Sequence, residues 1–269
     1  MKNSIVKSIN SLPTLSKTIS GINKVCTNED SSVMDLVKII ENDPMIVANI
    51  LKLANSPLYN FGREIKNVSQ AVSRFGMNMI RSMVLGNSIK KLLNVDMKPY
   101  GISSVKFAEV SMLQASLILS WYKHIDKEKA EELYLAAFLQ EIGKILLANY
   151  IIQENEDISF ASEIETSNNI SQVEKSYVDV TSSEITAKVF EHWNFDNKFI
   201  EMIRYSDNPL KAPDDIKEYS MALNIIKTII PVNQPLSEQS INFGLRKASD
   251  TGYNHEILED EIDKILEKF

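Results

Sequence analysis

Three histidines, one cysteine and a surplus of carboxylates are the side chains in these 269 residues that could do acid–base, nucleophilic or metal chemistry. A hydrolytic metal centre needs several His, Asp, Glu or Cys ligands converging on one point. His124, His192 and His255 are far apart, and no His-Glu-x-x-His or His-Asp pair exists. His124 stands at a helix end beside Asp126, His192 precedes Trp193 on a surface edge, and His255 comes just before the last helix. A structural or solvated role is expected for each. Cys26 is alone, so no intrachain disulfide and no Cys-based zinc site can form; it reads as a small buried apolar residue. No Gly-rich phosphate loop and no Gly-x-Ser-x-Gly elbow is present. Glu131-Glu132 reads as a solvated helix face, whereas Glu141 is set within Ala136-Ala137-Phe138-Leu139-Gln140-Glu141-Ile142-Gly143-Lys144. A glycine just past an apolar run there points to backbone crowding or a bend.

The elements that would position these groups are helices. Glycine and proline number eight each, while Ile, Leu, Lys and Glu abound, which favours helices over strands and tight turns. Ser32 with Asp35, and Thr181 with Glu184, are capping boxes that satisfy free backbone donors at a first helical turn. Asp43 caps a helix with Pro44 in its first turn. Gly76 ends a short helix from Ser69, and Asn78 opens the next. Phe107, Val110, Gln114, Leu117 and Trp121 share the inner face of a long helix from Ser104. Residues 154–169 are polar and read as a loop, with room for a short helix. Met221 to Ile230 reads as a buried helix interrupted by Asn224 and Lys227, and His255 to Phe269 as an amphipathic helix with Ile257, Ile262 and Leu266 inward. The fold expected is all-α: two packed helical bundles meeting near 94–103, with residues 1–100 as one subdomain and 101–269 as the other.

A formal charge of −7 disfavours nucleic acid and anionic lipid as partners. Arg81, Lys90 and Lys91 read as a solvated face. Ala71 to Met83 has a helix-turn-helix flavour, but with spacing and charge unlike those of DNA readers. With no apolar core like a signal peptide's at Met1 to Ile5 and no uninterrupted apolar run of membrane-spanning length, a cytoplasmic protein without membrane insertion is expected.

Phe138 to Lys144 resembles the signature of the HD phosphohydrolase superfamily, in which a His-Asp pair precedes Ile-Gly-Lys; here the pair is Gln140-Glu141. Leu12-Pro13-Thr14-Leu15, Ile39-Ile40-Glu41-Asn42-Asp43-Pro44 and Leu51-Lys52-Leu53-Ala54-Asn55-Ser56-Pro57-Leu58-Tyr59 are similar to the HDOD domain, the HD-related output domain of bacterial signalling. The resemblance runs from about Leu12 to Ile230 and implies an HD-like second bundle. Carried over position by position, it places the superfamily's metal ligands at Val110, at Gln140 and Glu141, near Ser182, near Tyr205-Ser206 and at about Asn224. Glu141 is the one strong anionic ligand among them, too little for a hydrolytic centre. No cofactor is therefore expected.

Two roles stay open for the pair Gln140 and Glu141: lining a remnant pocket for a small polar ligand, or making hydrogen bonds that stabilise the bend. Asp43 and Pro44 are expected to be structural. Asn55 and Ser56 either form a binding surface or cap a helix end. The resemblance implies a non-catalytic regulatory module acting on an unidentified signalling protein, as a stand-alone adaptor. The alternatives are a residual metal-dependent phosphohydrolase or phosphodiesterase, and a nucleotide second-messenger sensor using the remnant pocket.

Overall fold

A computed structural model describes residues 1–28, 30–55, 64–92, 96–167 and 169–267, with the backbone alone at 90–92. Among the described residues there is no strand. The chain divides into two compact units, one of Pro13–Leu93 and one of Met1–Leu12 with Asn94–Phe269.

The smaller unit holds α2 (Lys17–Thr27), α3 (Val33–Glu41), α4 (Pro44–Ala54) and α5 (Val68–Leu92). Side chains fix its helix starts. Ser32 and Asp35 form the reciprocal capping box of α3, and Asp43 Oδ1 accepts from Met45 N and Ile46 N ahead of Pro44. Its core includes Ile22, Leu36, Ile40, Ile50, Ala71 and Leu85. Gly76, at φ 79°, breaks α5 where the sequence expects one helix to stop and another to start. Cys26 is half-buried beside Met77 O, and burial, opposed by the Arg81 charge, pushes its thiol up to about 11, so it is not a thiolate.

The larger unit begins with α1 (Asn3–Asn10), which packs on α8 and α11. Then follow α6 (Ser104–Tyr122), α7 (Lys127–Leu139), α8 (Gly143–Gln153), α9 (Asp157–Thr166), α10 (Ile170–Val178), α11 (Ser182–His192), α12 (Asn197–Arg204), α13 (Asp214–Ile229), α14 (Glu238–Asp250) and α15 (His255–Leu266). Trp121 and Trp193 are both core residues. The segment 127–153 is long and apolar enough to cross a bilayer, but it is two helices, and 83% of its apolar window is buried inside the unit.

Two sequence expectations change here. The polar stretch 154–169 is mostly the helix α9, because Phe160 and Ile164 give it a buried stripe. The inner face of α15 is Leu258, Ile262 and Ile265, while Leu266 faces solvent. His124 lies 3.2 Å from the Glu261 carboxylate of α15, a structural contact between two helices.

Candidate functional site

Two helix ends meet at Gly143. Its N–H donates to Thr186 Oγ1 (2.8 Å), and that hydroxyl lies within hydrogen-bond reach of Gln140 O (3.0 Å) and Ser182 O (2.8 Å). A Cβ on Gly143 would lie 2.0 Å from Ser182 O, so only glycine lets the start of α8 approach α11 this closely. The apolar run therefore stops at Leu139, and Gln140 and Glu141 turn into the interior.

Both are completely or almost completely buried, and both bond to Gln114 of α6. Gln140 Nε2 donates to Gln114 Oε1 (2.9 Å), and Gln114 Nε2 donates to Glu141 Oε1 (3.1 Å) and to Ile230 O (2.8 Å). One turn further on, the ammonium of Lys144 lies 3.3 Å from Glu141 Oε2. It donates to Glu174 Oε1 (2.5 Å) and Ser182 Oγ (2.9 Å) and stands 5.3 Å from the Tyr100 ring centroid. Glu174 also accepts from Tyr100 OH (2.9 Å) and from Ser182 N (2.7 Å). A buried carboxylate with three donors, one of them its ion-pair partner, is well solvated by the protein.

A second ion pair lies on the other side of the site. Lys227 Nζ donates to Asp207 Oδ1 (2.6 Å) and Ser183 Oγ (2.8 Å), and the Ser183 hydroxyl lies 2.8 Å from Ser206 Oγ. Asn224 Nδ2 donates to Ser206 O, and Lys247 of α14 donates to Asn224 Oδ1 (2.8 Å) and Thr228 Oγ1 (2.7 Å). A cavity of about 610 Å³ opens between the two ion pairs, lined by Glu141, Lys144, Asp207, Asn224, Lys227 and Lys247 among others.

The electrostatics follow from burial and pairing. Burial by itself would raise the Glu141 carboxyl, but the charges of Lys144 and Lys227 overcome it and hold the group below its ordinary value. Asp207 is held well down in the same way, against burial, by Lys227 and Lys144. Burial opposes the charge on Lys144, yet Glu141 and Glu174 raise its pKa. Lys247 differs: burial and the nearby Lys227 charge lower its pKa, against the pull of Asp207.

Of the sequence-predicted positions, Glu141 and Asn224 line the cavity, while Gln140, Ser182 and Ser206 are fully buried in the hydrogen-bond networks beside it. Val110 is buried in α6 one turn before Gln114, and Tyr205 caps the end of α12; neither lines the cavity. Asp43, Pro44 and Asn55 belong to the other unit. There Asn55 holds a helix end, donating to Leu51 O (2.9 Å) and Ile65 O (2.8 Å) and accepting from Ile65 N (2.8 Å). Ser56 lies outside the described residues.

The sequence reading missed Lys144, Asp207, Lys227, Glu174 and Lys247. Lys227 carried a usable signal, since Asn224, Lys227 and Thr228 are three and four apart in an otherwise apolar helix and so share a face. Lys144 follows Glu141 at the three-residue spacing of a helical ion pair.

The residues present do not fit a hydrolytic metal of the HD type. At the inherited ligand positions stand a valine, two amides, hydroxyls and one carboxylate whose charge is met by the protein's own ammonium. Among the described residues no group of three His, Cys, Asp or Glu side chains is placed to hold a metal ion. The set of side chains at these positions is a degenerate version of the HD ligand set.

A protein of Shewanella amazonensis SB2B proposed to be a phosphohydrolase shares the fold, with a TM-score of 0.77 at 22% identity, over 99% of this chain and 95% of that one. So does an HDOD domain protein of Geobacter sulfurreducens with unknown function, with a TM-score of 0.75 at 16% identity, over 98% and 93%. An uncharacterized protein of Treponema pallidum (strain Nichols) is 25% identical over 227 residues, which are 80% of this chain but 41% of that relative's length. The chain therefore spans less than half of the curated relative it matches. The HDOD domain family model matches residues 12–209, about three quarters of the sequence, and the chain belongs to the HDOD domain family.

Proposed function

We propose that this chain is a regulatory module of bacterial signal transduction that works by binding a partner protein, without turning over a substrate. One observation carries the reading. The Lys144 ammonium stands against Glu141, the one carboxylate at the inherited ligand positions, and Glu174 and Ser182 complete its bonds. A cation built into the fold supports the packing around Gly143 but activates no water, because an ammonium offers no open coordination position. What such a centre retains is a rigid helical scaffold, and a scaffold acts through its surfaces.

Affinity capture of the tagged full chain from its native cell, read by mass spectrometry, tests the reading. One signalling protein recovered reproducibly, and re-formed as a complex from purified components, is the expected result. Stoichiometric Mn, Fe or Zn in the purified protein together with phosphate-releasing activity would sink it in favour of residual hydrolysis.

A further inference from the structure

The cavity between the two ion pairs is more than a relic of packing. Its floor comes from α8, α13 and the turn after α12, within or near the family match. Its opposite wall is α14, which contributes Phe243, Arg246 and Lys247 and lies beyond residue 209, where that match ends. Two features of the lining are unfinished. Asp207 Oδ2, on a side chain 10% exposed, is a buried acceptor without a hydrogen-bond partner, and Glu141 Oε2, on one 2% exposed, has the Lys144 ammonium at 3.3 Å but no hydrogen bond. Such acceptors are rare in folded proteins unless something donates to them. Lys247, on the same lining, is bonded to neutral oxygens, of Asn224 and Thr228; the Asp207 charge acts on it, but among the described residues no carboxylate lies within ion-pair distance of it. Lys144 and Lys227 have their carboxylates, and Arg246 has Asp250 at 3.8 Å. The cavity thus offers buried acceptors and a cation without an ion-paired carboxylate on one lining, in a volume of about 610 Å³ that suits a small metabolite.

We propose that this cavity binds a small acidic metabolite that also carries hydroxyl or amino donors. Its carboxylate or phosphate pairs with Lys247, and its donors reach Glu141 and Asp207. The inference goes beyond the regulatory reading and can fail apart from it, since a ligand would bind whether or not a partner protein is ever captured.

Thermal unfolding of the full chain tests it with L-glutamate and D-ribose 5-phosphate as two-ended probes, and with inorganic phosphate and D-ribose as their halves. At least one two-ended probe should raise the melting temperature saturably, and which one does tells a carboxylate ligand from a phosphate. Lys247→Met should weaken that probe by at least about tenfold, the loss of a charge-assisted bond. Because this variant loses a half-buried side chain, Phe243→Trp, at an exposed lining position, serves as a second readout. Its fluorescence should change with the same concentration dependence. The proposal is overturned if neither two-ended probe shifts melting up to about 10 mM, if inorganic phosphate binds as tightly as ribose 5-phosphate, if Lys247→Met leaves binding unchanged, or if the introduced indole does not respond.

Discussion

The two units use their polar side chains in opposite ways. In Pro13–Leu93 they serve mainly the nearby backbone: Ser32 and Asp35 cap one helix, Asp43 caps the next, and Asn55 ties a helix end to Ile65, with the bond from Arg81 to Asn23 a longer link. In the larger unit Gln114, Gln140, Glu141, Lys144 and Glu174 are buried and bond to one another across α6, α8 and α10, far apart in sequence. Local polar bonds shape helices and are replaceable one at a time. A buried ionic network stands or falls as a set, because each charge depends on its partner for the solvation that water no longer provides.

Removing one charge from the network should have the largest effect. Lys144→Met leaves Glu141 and Glu174 buried without their cation and is expected to cost about 3–5 kcal/mol in urea denaturation. Adding Glu174→Gln to that variant should restore part of the loss. If the double variant is no more stable than the single one, the network does not act as a set and the contrast between the units fails. Gly143→Ala comes next. Its methyl group would meet Ser182 O at 2.0 Å, a backbone atom that cannot swing aside, so a loss of about 3 kcal/mol is expected. A fully stable Gly143→Ala protein would show that α8 and α11 can separate freely. In the other unit, Asn55→Ala strands the N–H and C=O of buried Ile65 and should cost only about 1–2 kcal/mol. The same denaturation experiment ranks the three.

How much of this was legible in the sequence follows the same division. Capping boxes and Asp-Pro starts are contiguous signals, so the helices opening at Val33, Pro44 and Ser182 were readable from a few residues each. The helix α14 carries its own cap at Ser237 but has a thin apolar face of Gly244 and Ala248, too weak a pattern to be read. Gly244 is there because a Cβ would meet Ile229 Cγ1 at 2.1 Å, a tertiary reason that no local window shows. The candidate site was half legible. Glu141 stood out through its neighbours and the family resemblance, but Glu174 looks like any solvated glutamate of a polar helix. Its three donors come from residues 74, 30 and 8 positions away.

The last expected effect separates the units by pH. Asp207 has its carboxyl held well below the ordinary 3.8, chiefly by Lys227 and Lys144 acting against burial. A depressed carboxylate gives stability that is fully present above its unfolded pKa and is lost as pH falls toward the folded one. The stability of the parent protein should therefore decline below about pH 4, with Asp207 contributing at most one proton, or about 1.4 kcal/mol per pH unit. Asp207→Asn cannot titrate. It should be less stable than the parent at neutral pH, where Lys227 has lost its partner, and the two curves should converge as the solution becomes more acid. Asp35 is also held down, by its bonds to Ser32, but it sits in solvent at a helix cap. The charge-preserving change at that end, Asp35→Glu, should therefore leave the acid limb almost as it was. Parallel curves for the parent and Asp207→Asn from neutral pH down to pH 3 would mean that the buried pair does not couple to folding. The difference drawn between local caps and a buried charge network would then have no energetic content at this position.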